Sequence, residues 1–223
     1  MRLEKADGCQ ELAASHPGQD GDFGRDVTAR SRKLSKTGGG SGGFDFTRIC
    51  ASGQAAGSGS CPPNPSLGDG PDNWACTRDN VTGLMWEVKT ADGLRGRENT
   101  YSWYSSDEAV NGGAIGTQNG GQCRGSACDT QAYVEAVNAQ GLCGGKDWRL
   151  PSRKELLSIV DNGRMSPAVD SHYFPATKSV EYWSASPYAA LNSQAWQVLF
   201  RFGETYPGEK SQGSAVRLVR QAP

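Results

Sequence analysis

The sequence predicts an α+β domain of short strands and long loops, and three observations carry that expectation. Two segments in the middle of the chain hold complete helix-start signals, at Asp129–Thr130 and at Pro151–Ser152. Downstream, Trp196, Val198, Phe200 and Phe202 alternate with Gln197, Leu199 and Arg201, the period of a strand. The 30 glycines and the 36% hydrophobic content suit short strands joined by loops better than a helical bundle. Helices first, strands last and long loops between them make the class α+β.

Residues 1–43 are polar and end in Lys36-Thr-Gly-Gly-Gly-Ser-Gly-Gly43, a flexible linker composition, so the folded domain is expected over 44–220. Asp20, Asp22 and Asp26 alternate like a cation-binding loop, but no distal bidentate Glu completes an EF-hand, and a solvated acidic turn is expected. Phe44-Asp45-Phe46 alternates, and a Pro/Gly/Ser-rich loop follows over 51–73. Thr82–Val88 reads as a buried strand and Thr100–Tyr104 as a short ordered aromatic segment; residues 111–127 read as a Gly-rich loop. The first helix runs from Asp129 to Gln140, capped by Asp129 or Thr130, with Tyr133, Val137 and the alanines on its buried face. The second starts at Pro151, where Ser152 and Glu155 form a capping box. It buries Leu156, Leu157, Ile159 and Val160 and is ended by Gly163 and Pro167. Tyr182–Ser186 leads into the alternating strand, 203–214 reads as a polar loop, and Ala215–Arg220 closes the domain as a strand.

The net charge of −1 removes a global attraction to nucleic acid or to a membrane surface, and no apolar run reaches the ~18 residues of a spanning helix. Seven cysteines stand at 9, 50, 61, 76, 123, 128 and 143, without a C-x-x-C pair and with only His16 and His172 to complete a metal site. No metal and no cofactor are therefore expected. Cys123 and Cys128 bracket a short loop, as do Cys50 and Cys61; Cys76 and Cys143 would form a long-range pair, leaving Cys9 over. Six cysteines allow fifteen pairings, and spacing alone does not choose among them. The cysteine usage predicts a chain outside the cytoplasm, the alternative being a cytosolic protein with free thiols. Residues 1–30 carry Arg2, Glu4, Lys5, Asp7 and Glu11 and no apolar signal core, so the expected chain start is incomplete, a fragment or diverged.

Beyond the linker glycines there is no H-E-x-x-H, no G-x-S-x-G nucleophile turn, no Walker loop and no dinucleotide-binding glycine pattern. His172 lacks a nucleophile partner, and the pairs Asp107/Glu108 and Asp161/Asp170 carry no sign of a cleft. The expectation is a non-enzymatic protein with no catalytic residues. The loops at 187–194 and 203–214 are instead rich in Tyr, Ser, Asn, Gln and Gly, the composition of adaptable recognition surfaces.

Thr82-Gly-Leu-Met-Trp86, Asp147-Trp-Arg-Leu-Pro-Ser-Arg-Lys-Glu-Leu156, Tyr182-Trp-Ser-Ala-Ser186, Ala195-Trp-Gln-Val198 and Val216-Arg-Leu-Val-Arg220 occur in that order. Together they resemble the Lcl C-terminal domain family over about residues 74–220. The resemblance implies a C-type-lectin-like fold with two helices, in exported or surface proteins of bacteria. The family's namesake adhesin domain binds sulfated glycosaminoglycans as a trimer, so the resemblance also admits a homo-oligomer. Other members are variable proteins of diversity-generating retroelements, in which a C-terminal region displays receptor-binding residues; here that region corresponds to about Tyr182–Arg220. Within it, Trp183, Trp196, Gly203, Lys210 and Val216–Arg220 stand at recurrent family positions. No Glu-Pro-Asn or Trp-Asn-Asp is present, so the calcium-dependent sugar site of true C-type lectins is not expected. No cysteine follows Cys143, and formylglycine-generating activity is not expected either.

The leading expectation is a domain whose C-terminal loops bind an extracellular protein or glycan through Tyr188, Asn192, Gln194, Gln197, Arg201, Glu204, Tyr206, Ser211 and Gln212. The alternative is an adhesion module holding sulfated polysaccharide through Arg149, Arg153, Lys154, Lys178 and Lys210. The basic residues of Lys146–Lys154 read mainly as scaffold around a helix start.

Overall fold

The computed structural model describes residue 38 and residues 40–223. Cys9, His16, the acidic stretch 20–26 and nearly all of the polar N-terminal segment lie outside the described residues. Residues 46–79 and 83–223 form one compact unit. In the other, the Gly40 N–H donates to Phe44 O (2.7 Å) and Asn80 Nδ2 donates to Asp45 Oδ1 (3.0 Å).

Strands β1 (Phe46–Cys50), β2 (Trp74–Asp79), β3 (Leu84–Glu87) and β7 (Val219–Gln221) form an antiparallel sheet in the order β1-β2-β3-β7. Strands β4 (Glu181–Pro187), β5 (Gln194–Leu199) and β6 (Glu204–Glu209) form a second antiparallel sheet in that order. Between β3 and β4 come two helices, α1 (Thr130–Gln140) and α2 (Arg153–Ser158). Mixed α and β with two helices and antiparallel sheets is the coarse architecture expected; neither sheet closes into a barrel.

Both helices begin for local chemical reasons. At α1 the Asp129 carboxylate accepts the Ala132 N–H (2.9 Å), and Gly141, at φ 66°, closes the other end. Tyr133 and Val137 are buried as the spacing requires, whereas the alanines are not: Ala132 and Ala136 are half-buried and Ala139 is exposed. At α2 the capping box forms in both directions, Glu155 N–H to Ser152 Oγ (3.2 Å) and Ser152 N–H to Glu155 Oε2 (2.8 Å). The helix stops at Ser158, before Gly163, because Ile159 already leaves helical geometry (φ −97°, ψ 1°) and the Ser158 hydroxyl takes Glu155 O.

The surrounding basic residues brace this region. Arg149 grips Glu155 with two bonds (2.9 and 2.6 Å), and Arg220 donates to Asp147 (2.6 Å). Trp148 is buried, with its backbone N–H and C=O both bonded to the Asn138 amide (2.8 Å each). The main core lies between the first sheet, α1 and β4–β5. Ile49, Met85, Tyr101, Trp103, Tyr133, Val137, Trp183 and Leu218 meet there, and the indole N–H groups of Trp103 and Trp183 find Ser184 O (2.9 Å) and Tyr101 O (2.7 Å).

Three disulfides join Cys50 to Cys61, Cys76 to Cys143 and Cys123 to Cys128. The second pins β2 to the turn after α1 across 67 residues of sequence. On the chain-entropy account that is the bond with the largest effect, about 4 kcal/mol.

Two expectations need correcting. Residues 204–209, read as part of a polar loop, form β6. Pro207 and Gly208 are tolerated there because β6 is an edge strand, and because a Cβ at Gly208 would lie 2.5 Å from Gln197 Oε1. The alternation in β5 also ends at Phe200: Phe202 sits in the hairpin turn and is exposed.

Candidate binding site at the loop end of the small sheet

Residues directly opposite one another in β5 and β6 share a face. Ala195 and Gln197 face the core together with Trp183, and the Gln197 amide donates to Ser214 Oγ (2.8 Å). Gln197 is 2% exposed, so it is corrected from a ligand contact to an internal hydrogen-bond donor. The other face carries Gln194 opposite Glu209, bonded at 2.6 Å, and Trp196 opposite Pro207. Trp196 is half-buried between the Arg153 guanidinium, 4.1 Å from its ring centroid, and Tyr188, edge-on at 5.1 Å. Each contact stiffens the platform by about 0.5–1 kcal/mol.

The loop from β4 to β5 is tightly closed. The N–H groups of Tyr188, Leu191 and Gln194 donate to Gln194 O (3.0 Å), Tyr188 O (3.2 Å) and Leu191 O (3.0 Å). Pairing of β5 with β6 continues one step further, where the Lys210 N–H donates to Ser193 O (2.9 Å). The Lys210 side chain then turns inward. It is 2% exposed; its ammonium lies 4.2 Å from the Trp103 ring centroid and donates to Asn111 O (2.7 Å) and Ala114 O (2.6 Å). Burial lowers its pKa.

Those two carbonyls belong to a third loop, 107–116, which is thereby held against the end of the small sheet. The Gly113 N–H bonds Asn111 Oδ1 (2.9 Å), Asn192 Nδ2 reaches Gly113 O (3.5 Å), and a Cβ at Gly112 would lie 2.5 Å from Pro187 Cβ. Three loops therefore meet at one end, where Val110, Ile115 and Leu191 are exposed beside the exposed polar Asn192, Ser211 and Gln212.

The structure brings Tyr188, Asn192, Gln194, Ser211 and Gln212 together at this end. Arg201 and Glu204 are exposed at the opposite end of the β5–β6 hairpin, roughly 17 Å away for strands of this length. Tyr206, opposite Gln197, lies on the face of β6 turned away from Trp196, where its hydroxyl donates to Glu181 Oε1 (2.8 Å) and its pKa is raised by desolvation and by that carboxylate. The nine residues are thus not one surface. The 107–116 loop was missed by sequence reasoning; Asn111-Gly112-Gly113 marked it as a turn, but nothing local tied it to Lys210, 99 residues away.

The basic set does not form one open surface either. Arg149 and Lys178 are paired with Glu155 (2.6 Å) and Glu98 (2.6 Å), Arg153 stacks on Trp196, and Lys210 is buried.

A second cluster of ionisable groups is enclosed. Glu87 Oε1 accepts Lys89 Nζ (2.9 Å) and the Tyr133 hydroxyl, and Glu87 Oε2 accepts the Leu218 N–H (2.9 Å). Desolvation lowers the Lys89 pKa against the opposing pull of Glu87; desolvation and Glu87 raise Tyr133 well above the ordinary phenol. With Glu87 and Lys89 0–2% exposed, the cluster joins β3, α1 and the residue before β7 rather than facing a ligand. Among the described residues no three His, Cys, Asp or Glu side chains are grouped to hold a metal ion, and no helix is long and apolar enough to cross a membrane.

Neither a curated protein nor a solved structure matches the chain significantly. A family model described as the Lcl C-terminal domain matches residues 75–220, more than half of the chain and all of both helices and the small sheet. The chain belongs to the Lcl C-terminal domain family.

Proposed function

We propose that this protein is a non-enzymatic binding domain of the cell exterior that presents the loop end of its small sheet to an extracellular protein or glycan. The observation that carries the reading is the internal use of Lys210. A lysine buried to fix two carbonyls of a distant loop makes the end of the sheet rigid, while Tyr188, Leu191, Asn192, Ser211 and Gln212 stay available on it. Rigid aromatic area with adaptable amides around it is the composition that recognition surfaces favour.

The reading extends in three directions that rest on family membership and on the disulfides. The scaffold is C-type-lectin-like. The three disulfides support an oxidising compartment. The segment from about Tyr182 to Arg220 is a display region of the kind that retroelements diversify. A reverse transcriptase beside the coding sequence, with a template repeat differing at adenines, supports the last point, and its absence counts against it.

The sulfated-polysaccharide reading is weakened by the pairing of Arg149 and Lys178 and by the burial of Lys210. A heparin column tests it: elution at low ionic strength is expected, and retention beyond physiological salt favours the rival. The main reading is tested by binding to panels of glycans and extracellular proteins, with Tyr188→Ala/Leu191→Asp as the control variant. Loss of binding at an unchanged melting temperature is expected; retained binding contradicts it.

A further inference from the structure

A cleft of about 430 Å³ lies between the end of α1 and the loops at 51–52, 69–71 and 94–95, and shares no residue with the loop end described above. Its walls include Ala51, Pro71, Leu94 and Leu142. Arg95 also borders it, but the Arg95 guanidinium is occupied. Nη1 donates to Ala75 O (3.1 Å) and Val88 O (2.6 Å), and Nη2 donates to Gly68 O (3.1 Å) and to the Asp69 carboxylate. Arg95 is 2% exposed at its side chain and Asp69 is 75% exposed, so the carboxylate, not the guanidinium, faces solvent.

The end of α1 that borders the cleft adds to the negative character of Asp69. The Gly141 N–H closes onto Asn138 O (3.1 Å), and the carbonyls of Ala139 and Gln140 accept no hydrogen bond among the described residues. No basic side chain stands in the last turn of α1; Lys146, whose Cε lies 3.8 Å from a Cβ placed at Gly141, approaches that end but does not line the cleft. Acceptors with a carboxylate, set beside short apolar walls, suit a cation on an alkyl stem and repel an anion.

We propose that this cleft binds an alkylammonium or alkylguanidinium group, either the side chain of a lysine or arginine on a partner or a free amine. Asp69 and the α1 carbonyls hold the charge, and Leu94, Pro71 and Leu142 cover the stem.

The test is a titration of the ¹⁵N-labelled full chain, followed by amide shifts, with N-acetyl-arginine methylamide, N-acetyl-lysine methylamide, cadaverine, neutral N-acetyl-norleucine methylamide and N-acetyl-glutamate methylamide. Saturable shifts at Asp69, Leu94, Gln140 and Gly141 are expected with the three cations only. Cadaverine binding as tightly as the amides assigns the cleft to free amines, and weaker cadaverine binding assigns it to a side chain. Asp69→Asn is expected to weaken the cations about fivefold, the scale of one exposed ion pair. Gln140→Lys supplies the cation from within and is expected to abolish binding. Equal shifts with norleucine or glutamate, no saturable response to any cation, or a cation response that survives Gln140→Lys overturns the proposal. Should Asp69→Asn lose its dispersed spectrum, the Gln140→Lys result decides.

Discussion

The Lys210 ammonium lies 4.2 Å from the centroid of the Trp103 ring, and 2.7 and 2.6 Å from Asn111 O and Ala114 O. One side chain from the end of β6 thus closes a loop that precedes it by some hundred residues. Replacing it removes a cation–π contact and leaves two carbonyls to find water. Lys210→Met is expected to cost about 1–3 kcal/mol. Its specific signature is faster amide exchange in residues 109–116, with the β1–β2–β3 amides unchanged; uniform exchange across the domain contradicts the clamp.

Glu155 sets a pH window. The Arg149 guanidinium, with help from the Ser152 N–H and hydroxyl, holds the Glu155 carboxyl at about 2, against an ordinary value of 4.5. The folded pKa is depressed, so this contribution is fully present above the unfolded value and is lost as pH falls from about 4.5 toward 2. Urea denaturation at pH 7, 4.5 and 2.5 is expected to show that decline, and Glu155→Gln to flatten its share of it. An identical pH profile in the variant contradicts the assignment.

The buried Glu87–Lys89–Tyr133 group makes a sharper demand. Removing one partner of an enclosed ion pair leaves the other charge without compensation, so Glu87→Gln is expected to lose about 3–5 kcal/mol in chemical denaturation. Tyr133→Phe, which keeps the ring and removes one hydrogen bond, is expected to lose about 1–2 kcal/mol. The order of the two variants is the check.

Reduction of the disulfides separates topology from binding. Cys76→Ala/Cys143→Ala opens the 67-residue link between β2 and the turn after α1, and is expected to cost about 2–5 kcal/mol. The paired substitution at Cys123 and Cys128, five residues apart, is expected to cost less. Melting temperatures of the two double variants test that order.

How far the sequence spoke for the structure follows from the range of each interaction. Asp129 at the start of α1 and the Ser152–Glu155 box were legible because donor and acceptor stand three residues apart. β6 was hidden by Pro207 and Gly208, which read as a loop until the edge position and the neighbouring Gln197 are known. Gln197 and Lys210 look like surface residues in a polar segment, yet both are buried on partners 17 and 99 residues distant. Of the expected contact residues, those near the β4–β5 loop fell together because they share one turn. Arg201 and Glu204 were separated because six-residue strands put them at the far end.

The central claim is that recognition belongs to the loop end and not to the far end of the hairpin. Its most direct test compares two variants against whatever ligand the wild-type domain captures from the glycan and protein panels. Tyr188→Ala/Asn192→Ala is expected to weaken binding at least about tenfold, the effect of losing one anchor, with an unchanged melting temperature. Arg201→Ala/Glu204→Ala is expected to bind as the wild type does. The reverse pattern, or a wild-type domain that captures nothing from either panel, contradicts the account.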